Sequence, residues 1–368
     1  MKILFIGGLD CGGAEHQMVI IAKLLSLNGY EVFFVTNNSN GFYSEELIES
    51  KVKIVKIPSN KMALTFKMFI PYSILFLYRL VKRENIDLGV SFLNEWNFVN
   101  CYVSMLTKGR FKVITGLRNA RDSVFLSKRS LFYTKYERYA SVKVCNSVNA
   151  KNIFAKYFSQ YADKLQTIYN IVDLPQVTSE YLIRKNGKIH IIVPASYREV
   201  KNPFGLLKAL ELMSKEELKL FDITWYGETL QSKNPYYIKL KKAVEIKGLQ
   251  DTFILKDATV DIANRMNEAD VVALFSSSEG LPNTICEGMM LGKPIIMTRV
   301  SDYDILTKGN GLLCDWNNPQ TIKEAILQMV SMSDDELLLM KNVSLEKATK
   351  LFSKESNVEK WKYVIDNC

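Results

Sequence analysis

Short runs of β-branched and aliphatic residues alternate along this chain with longer stretches whose apolar positions recur every three or four residues. The short runs predict strands at Ile3–Gly8, Glu31–Thr36, Val52–Ile57, Leu88–Phe92, Lys112–Leu117, Val142–Cys145 and Leu165–Tyr169. Helical patterns such as Ala14–Leu27 and Lys67–Lys82 lie between most of them. That alternation predicts right-handed crossovers and a parallel sheet covered on both faces.

The pattern breaks at Asp173–Gly187, a polar stretch containing Pro175 and showing no period. A second strand series follows at Ile189–Pro194, Phe221–Tyr226, Phe253–Leu255, Val271–Phe275, Pro294–Met297 and Leu312–Cys314. We therefore expect an α/β protein with two doubly wound domains, 1–173 and 188–351, joined by a linker at 174–187. Sheets of this kind bind ligands outside the carboxyl ends of their strands, so two facing each other place a site in the cleft.

The length of 368 residues also predicts two domains. With 48% apolar and 24% charged residues the composition is globular, which excludes a disordered or collagen-like chain. The net charge of +9 is unevenly placed: residues 1–186 carry +11 and residues 187–368 carry −2. Six cysteines without a short spacing argue against a disulfide framework or zinc cluster and point to a reducing cytosol. Two histidines, His16 and His190, exclude a multi-histidine metal site. The N-terminal apolar run is too short for a signal peptide. The apolar stretch Met68–Val81 falls short of the ~17–25 residues that span a bilayer.

Three constellations carry candidate chemistry. Gly7-Gly8-Leu9-Asp10-Cys11-Gly12-Gly13-Ala14-Glu15-His16 lies at the turn from the first strand to the first helix. Its glycines let the backbone approach a ligand, and a helix N-terminus favours an anion, although a merely tight turn reads the same. Neither the Walker A nor the G-x-G-x-x-G spacing is present. Glu279-Gly280-Leu281-Pro282-Asn283-Thr284-Ile285-Cys286-Glu287 opens a helix, with Asn283 or Thr284 expected as N-cap. Its backbone N–H groups suit a phosphate and its carboxylates suit hydroxyls, although two glutamates there also offset a helix dipole. Arg198 and Lys201, three residues apart beyond the strand Ile189–Pro194, form a possible diphosphate clamp or an ordinary solvated loop.

Together these segments resemble the GT-B glycosyltransferases, and within them the fourth family of retaining nucleotide-sugar enzymes. The most specific match is Glu279 and Glu287 with seven residues between, inside EGLPNTICEGMMLGKPIIMT. Supporting matches are GGAE near the N-terminus, Cys145-Asn146-Ser147, Tyr169-Asn170-Ile171-Val172-Asp173, Lys201-Asn202-Pro203, Gly309-Asn310-Gly311-Leu312-Leu313 and Phe352-Ser353. The resemblance implies a first domain that binds the acceptor and a second that binds the nucleotide sugar. It also implies a terminal helix, within 352–368, returning to the first domain.

Position by position, the resemblance implies that Glu287 binds ribose hydroxyls and Glu279 the donor sugar's hydroxyls. Gly280, Leu281, Pro282, Asn283 and Thr284 approach sugar and diphosphate, Lys201 binds the diphosphate, and Gly12 and Gly13 face the phosphates. Ser196 stands where the family usually has arginine, so Arg198 is the candidate substitute. Arg118 stands where the family often has a donor-facing histidine. Asp302-Tyr303-Asp304 is read as capping or turn formation, and His190 as a core histidine.

The expected activity is transfer of a sugar from a nucleotide diphosphosugar, UDP-linked, to a saccharide or lipid-linked saccharide with retention. The expected setting is polysaccharide, O-antigen or capsule biosynthesis, with no metal or other cofactor. A nucleotide-sugar epimerase of the same fold is the competing enzyme, and a basic membrane-surface binder the competing non-enzyme. No nucleic-acid module is recognisable. Residues 51–143 carry +13, interleaved with Phe111, Phe125, Phe132, Tyr133 and Tyr136. This predicts a cytoplasmic protein docked on the inner, anionic face of the plasma membrane, although a solvated face over a buried helix has the same composition.

Overall fold

A computed structural model of the protein describes residues 1–10, 12–58, 66–118, 125–229 and 234–368. The chain forms two compact units, Met1–Ile171 together with Lys354–Cys368, and Val172–Ser353.

In the first unit seven strands form one sheet: β1 (Lys2–Ile6), β2 (Glu31–Thr36), β3 (Lys53–Lys56), β4 (Leu88–Ser91), β5 (Lys112–Leu117), β6 (Val142–Cys145) and β7 (Leu165–Thr167). Their spatial order is β3-β2-β1-β4-β5-β6-β7, and every pairing is parallel. Side chains of β1 alternate between two cores. Ile3 and Phe5 join Phe34, Val90 and Trp361, while Leu4 and Ile6 join Val35, Leu77 and Val99. A strand buried on both faces needs continuous apolar sequence, which is why KILFI reads as one unbroken run.

The helix Lys354–Asp366 completes this unit. Trp361, 1% exposed, lies with its ring 5.8 Å from that of Phe92, and the Tyr30 hydroxyl donates to Asp366 Oδ1 at 2.8 Å. The helix Phe66–Glu84 buries Leu77, Leu80 and Val81 and exposes Leu75, Arg79, Lys82 and Arg83. No described helix is long and apolar enough to cross a membrane.

In the second unit six strands, β8 (Ile189–Pro194), β9 (Phe221–Gly227), β10 (Phe253–Asp257), β11 (Val271–Leu274), β12 (Ile295–Thr298) and β13 (Gly311–Cys314), pair in the order β10-β9-β8-β11-β12-β13, again all parallel. The strand order reverses between β8 and β11, the topological switch point at which such sheets bind ligands.

The stretch 174–187 belongs to this second unit instead of standing as a free linker. Its polar residues are anchored: Thr178 and Ser179 N–H donate to Asn264 Oδ1 (2.9 and 3.1 Å), and the Tyr181 hydroxyl and Arg184 N–H donate to Asp270 Oδ1 (both 3.1 Å). His190 is half-buried and bonded through Nδ1 to Asp222 on the neighbouring strand, not a core histidine.

Candidate functional site

Two loops flank the switch point of the second unit. The first, after β8, is shaped by Tyr197. Its ring is buried, and its hydroxyl lies within hydrogen-bond reach of the Trp225 and Lys256 carbonyls (3.0 and 2.7 Å). Trp225 Nε1 donates back to the Ala195 carbonyl at 2.6 Å. With Tyr197 turned inward, Arg198 is exposed and makes no ion pair among the described residues.

The loop ends at Asn202, whose φ of +60° is a left-handed conformation that asparagine tolerates. The Asn202 amide donates to the Trp316 carbonyl at 2.7 Å, and Pro203 then starts the helix Pro203–Glu211. This geometry holds Lys201 toward the second loop, where its Nζ meets Glu279 Oε1 at 2.5 Å. Both side chains are largely sheltered, at 24% and 14% exposure.

The second loop, after β11, leads into the helix Asn283–Met290. Its N-cap is Pro282, not Asn283 or Thr284. The Pro282 carbonyl accepts from Ile285 and Cys286 N–H, and Thr284 Oγ1 is engaged elsewhere, donating to the Pro194 carbonyl at 2.9 Å. That bond ties the helix start to β8, and Ser301 Oγ, donating to the Gly280 carbonyl at 2.5 Å, fixes the turn before it. Gly288 lets the helix lie on β11, because a Cβ there would come within 2.8 Å of Val272. Glu287 is half-buried with no hydrogen bond or ion pair to a described side chain, and burial raises its carboxyl above the usual range. The loops thus place a cation–carboxylate pair, a carboxylate without a described side-chain partner and a helix N-terminus at the carboxyl end of the sheet. Among them Leu281 is buried, and Gly280 and Asn283 are half-buried.

In the first unit the order reverses between β1 and β4. Beyond β1, Gly12 is the N-cap and Gly13 the first residue of the helix Gly13–Leu27. The space above Gly12 is taken by the Glu15 carboxylate, which a Cβ there would strike. Cys11 and Asn119 lie outside the described residues. His16 stacks on Tyr43, with ring centroids 5.1 Å apart. Arg118, just past β5, lays its guanidinium 3.7 Å from the Phe92 ring centroid and donates through Nη1 to Asn170 Oδ1 at 2.8 Å. The Asn170 segment is held by Gln17, whose side-chain amide exchanges two hydrogen bonds with the Ile171 backbone (2.7 and 2.8 Å).

Sequence reasoning did not single out Tyr197, Gln17 or Phe92. An aromatic flanked by serine and arginine in a loop was the available signal for the first. Among the described residues no group of three His, Cys, Asp or Glu side chains is placed to hold a metal ion. Asp302 is buried at the start of the Tyr303–Thr307 helix, where its carbonyl accepts from Ile305 and Leu306.

Two doubly wound sheets, the second carrying a paired-glutamate loop at its switch point, define a GT-B fold. Residues 11–176 match the family model described as Glycosyltransferase Family 4, and residues 188–332 match Glycosyl transferases group 1. The chain belongs to these GT-B glycosyltransferases. It is 22% identical over 353 residues to the N-acetyl-alpha-D-glucosaminyl L-malate synthase of Bacillus anthracis, covering 90% of this chain and 86% of that protein. It is 24% identical over 288 residues to the Escherichia coli UDP-Gal:alpha-D-GlcNAc-diphosphoundecaprenol alpha-1,3-galactosyltransferase, covering 72% and 71%. The structure of Anabaena HepE in complex with UDP-glucose superposes with a TM-score of 0.82 over 100% of both chains at 18% identity.

Proposed function

We propose that this glycosyltransferase moves a sugar from a UDP-sugar to a saccharide or lipid-linked saccharide acceptor with retention, in the synthesis of a cell-surface polysaccharide such as O-antigen or capsule. The observation that carries this reading is the Lys201–Glu279 pair at the switch point, with Glu287, lacking a described side-chain partner, on the adjoining helix. Glu287 accepts from the ribose hydroxyls and Glu279 from those of the donor sugar, since an ionised carboxylate is a pure acceptor. Lys201 is released by Glu279 toward the diphosphate as charge develops on the leaving group. Arg198, already exposed, reaches the same group, and the backbone from Gly280 to Thr284, with Leu281 and Pro282, shapes the sugar pocket. The departing phosphate oxygen takes the acceptor's proton on the face where the new bond forms, and Lys201 and Arg198 supply the positive charge a metal would otherwise bring. This is electrostatic preorganisation.

The test is release of UDP from a panel of UDP-sugars. Each charge-assisted contact is worth roughly 1.5–3 kcal/mol, or about 10–150-fold. Glu279→Ala is expected to lower turnover by that factor with the fold retained, and Glu287→Ala to weaken UDP binding. Wild-type transfer by both variants at low donor concentration refutes the site. Activity is expected to survive EDTA, and loss on chelation restored by Mg²⁺ or Mn²⁺ refutes the metal-free mechanism.

We further propose that the enzyme works in the cytoplasm, docked on an anionic membrane. Leu126, Leu131 and Phe132 are exposed at 55%, 40% and 49%, and Lys128, Arg129 and Lys135 are exposed around them. Apolar anchors among cations suit an anionic lipid interface.

A further inference from the structure

Among the described residues, Arg118 is the only charged side chain with buried polar atoms that have no partner: Nε and Nη2 are both sealed from solvent and unbonded. A buried cation is costly unless paired, and here Phe92 and Asn170 compensate it only in part. Among the described residues no carboxylate acts on it. Among the described residues its one interacting titratable neighbour is the Cys145 thiol, which burial pushes up to about 11 and so keeps neutral. Burial brings the guanidinium itself down to about 9, which leaves it charged at neutral pH.

The orientation is fixed. Asn170 holds Nη1, so the unpaired edge is the one formed by Nε–H and Nη2–H, two parallel donors that match two oxygens of one oxyanion. Arg118 directly follows β5 and Phe92 directly follows β4, so this edge lies at the carboxyl end of the sheet, where doubly wound domains take ligands.

We propose that Arg118 is a specificity-determining residue whose unpaired Nε/Nη2 edge binds an oxyanion, a carboxylate or phosphate, carried by a substrate outside the nucleotide's diphosphate. The inference rests on the transferase reading, in which Lys201 takes that diphosphate. The oxyanion belongs to the acceptor.

The experiment measures binding of UDP, UDP-glucose, UDP-glucuronate, L-malate and inorganic phosphate to the full chain and to its Arg118→Gln and Arg118→Lys variants by calorimetry. We expect one anionic probe to weaken about 10–150-fold in Arg118→Gln, with a smaller loss in Arg118→Lys, which keeps the charge and loses the fork. Selective loss of L-malate or phosphate assigns the oxyanion to the acceptor. Loss confined to UDP-glucuronate relative to UDP-glucose contradicts an acceptor oxyanion and overturns the proposal. Equal weakening of UDP itself, or no probe that responds to Arg118, overturns the proposal. Wild-type protein that fails to bind any UDP compound instead refutes the transferase reading, so the two failures are distinct. If Arg118→Gln does not fold, Arg118→Lys carries the same comparison.

Discussion

Lys293 is 1% exposed, its Nζ donates to the Asn267 carbonyl at 2.5 Å, and it lies 3.5 Å from the Tyr181 ring centroid. Burial, with a smaller contribution from nearby Lys341, lowers its ammonium to about 7. Below pH 7 both folded and unfolded chains carry the proton, and the fold bears the cost of the buried charge. Between pH 7 and the unfolded value near 10.4 the unfolded chain binds more protons, so this residue's contribution to stability rises with pH. The difference in unfolding free energy between wild type and Lys293→Met is therefore expected to grow from pH 7 to pH 9 in urea titrations; a flat difference contradicts the assignment. Gly288→Ala is expected to destabilise by about 1–3 kcal/mol, measured the same way, because the helix cannot move off Val272. The motif around Lys293 was visible in the sequence, but its titration was not. A side chain's proton affinity depends on what covers it, and Tyr181 and Lys341 are far from it along the chain.

The helix Lys354–Asp366 and the first sheet depend on one another through Trp361. Trp361→Ala is expected to cost about 3–5 kcal/mol, and hydrogen exchange should locate the loss in β1 and β4 while β8 and β11 keep their protection. Uniform loss across both units counts against this packing. Elements were the most legible level of the sequence. Each of the thirteen expected strands is present, because a parallel strand covered on both faces must be apolar along its length. Boundaries moved by a residue or two, as at β1, which ends at Ile6 although Gly7 still donates to the Val35 carbonyl. The N-cap at Pro282 escaped the sequence because Thr284 is drawn to the Pro194 carbonyl, a partner 90 residues away.

At the scale of the whole molecule the charge asymmetry was countable from the sequence, but the faces on which the aromatics lie were not. Phe111 and Phe125 are buried, and Tyr133 and Tyr136 are half-buried against Phe98, which leaves Phe132 as the exposed aromatic of that group. Composition reports what a segment carries, and packing decides which side it shows. The docking prediction therefore narrows to Leu126, Leu131 and Phe132 with their surrounding cations. Wild-type protein is expected to pellet with vesicles containing anionic lipid and to be released near 1 M salt, where screening acts within about 3 Å. Phe132→Asp is expected to weaken pelleting without altering UDP release from a soluble donor. Equal recovery in the supernatant with neutral and anionic vesicles at low salt contradicts docking.

The first unit is made of two stretches of chain, and the whole of the second lies between them. The ends of that inserted stretch meet, with Val172 N–H donating to the Phe352 carbonyl at 3.0 Å. Folding of the second unit therefore brings together the chain segments that flank it. Without it, the first unit would have to close a loop of residues 172–353 as random coil, an entropic penalty of roughly 4–5 kcal/mol from length alone. The two halves of this transferase are thus coupled thermodynamically through chain connectivity, whatever their surfaces do. A core lesion such as Trp225→Ala, more than 50 residues from any residue of the first unit in sequence, should loosen Trp361 only when it unfolds the second unit outright.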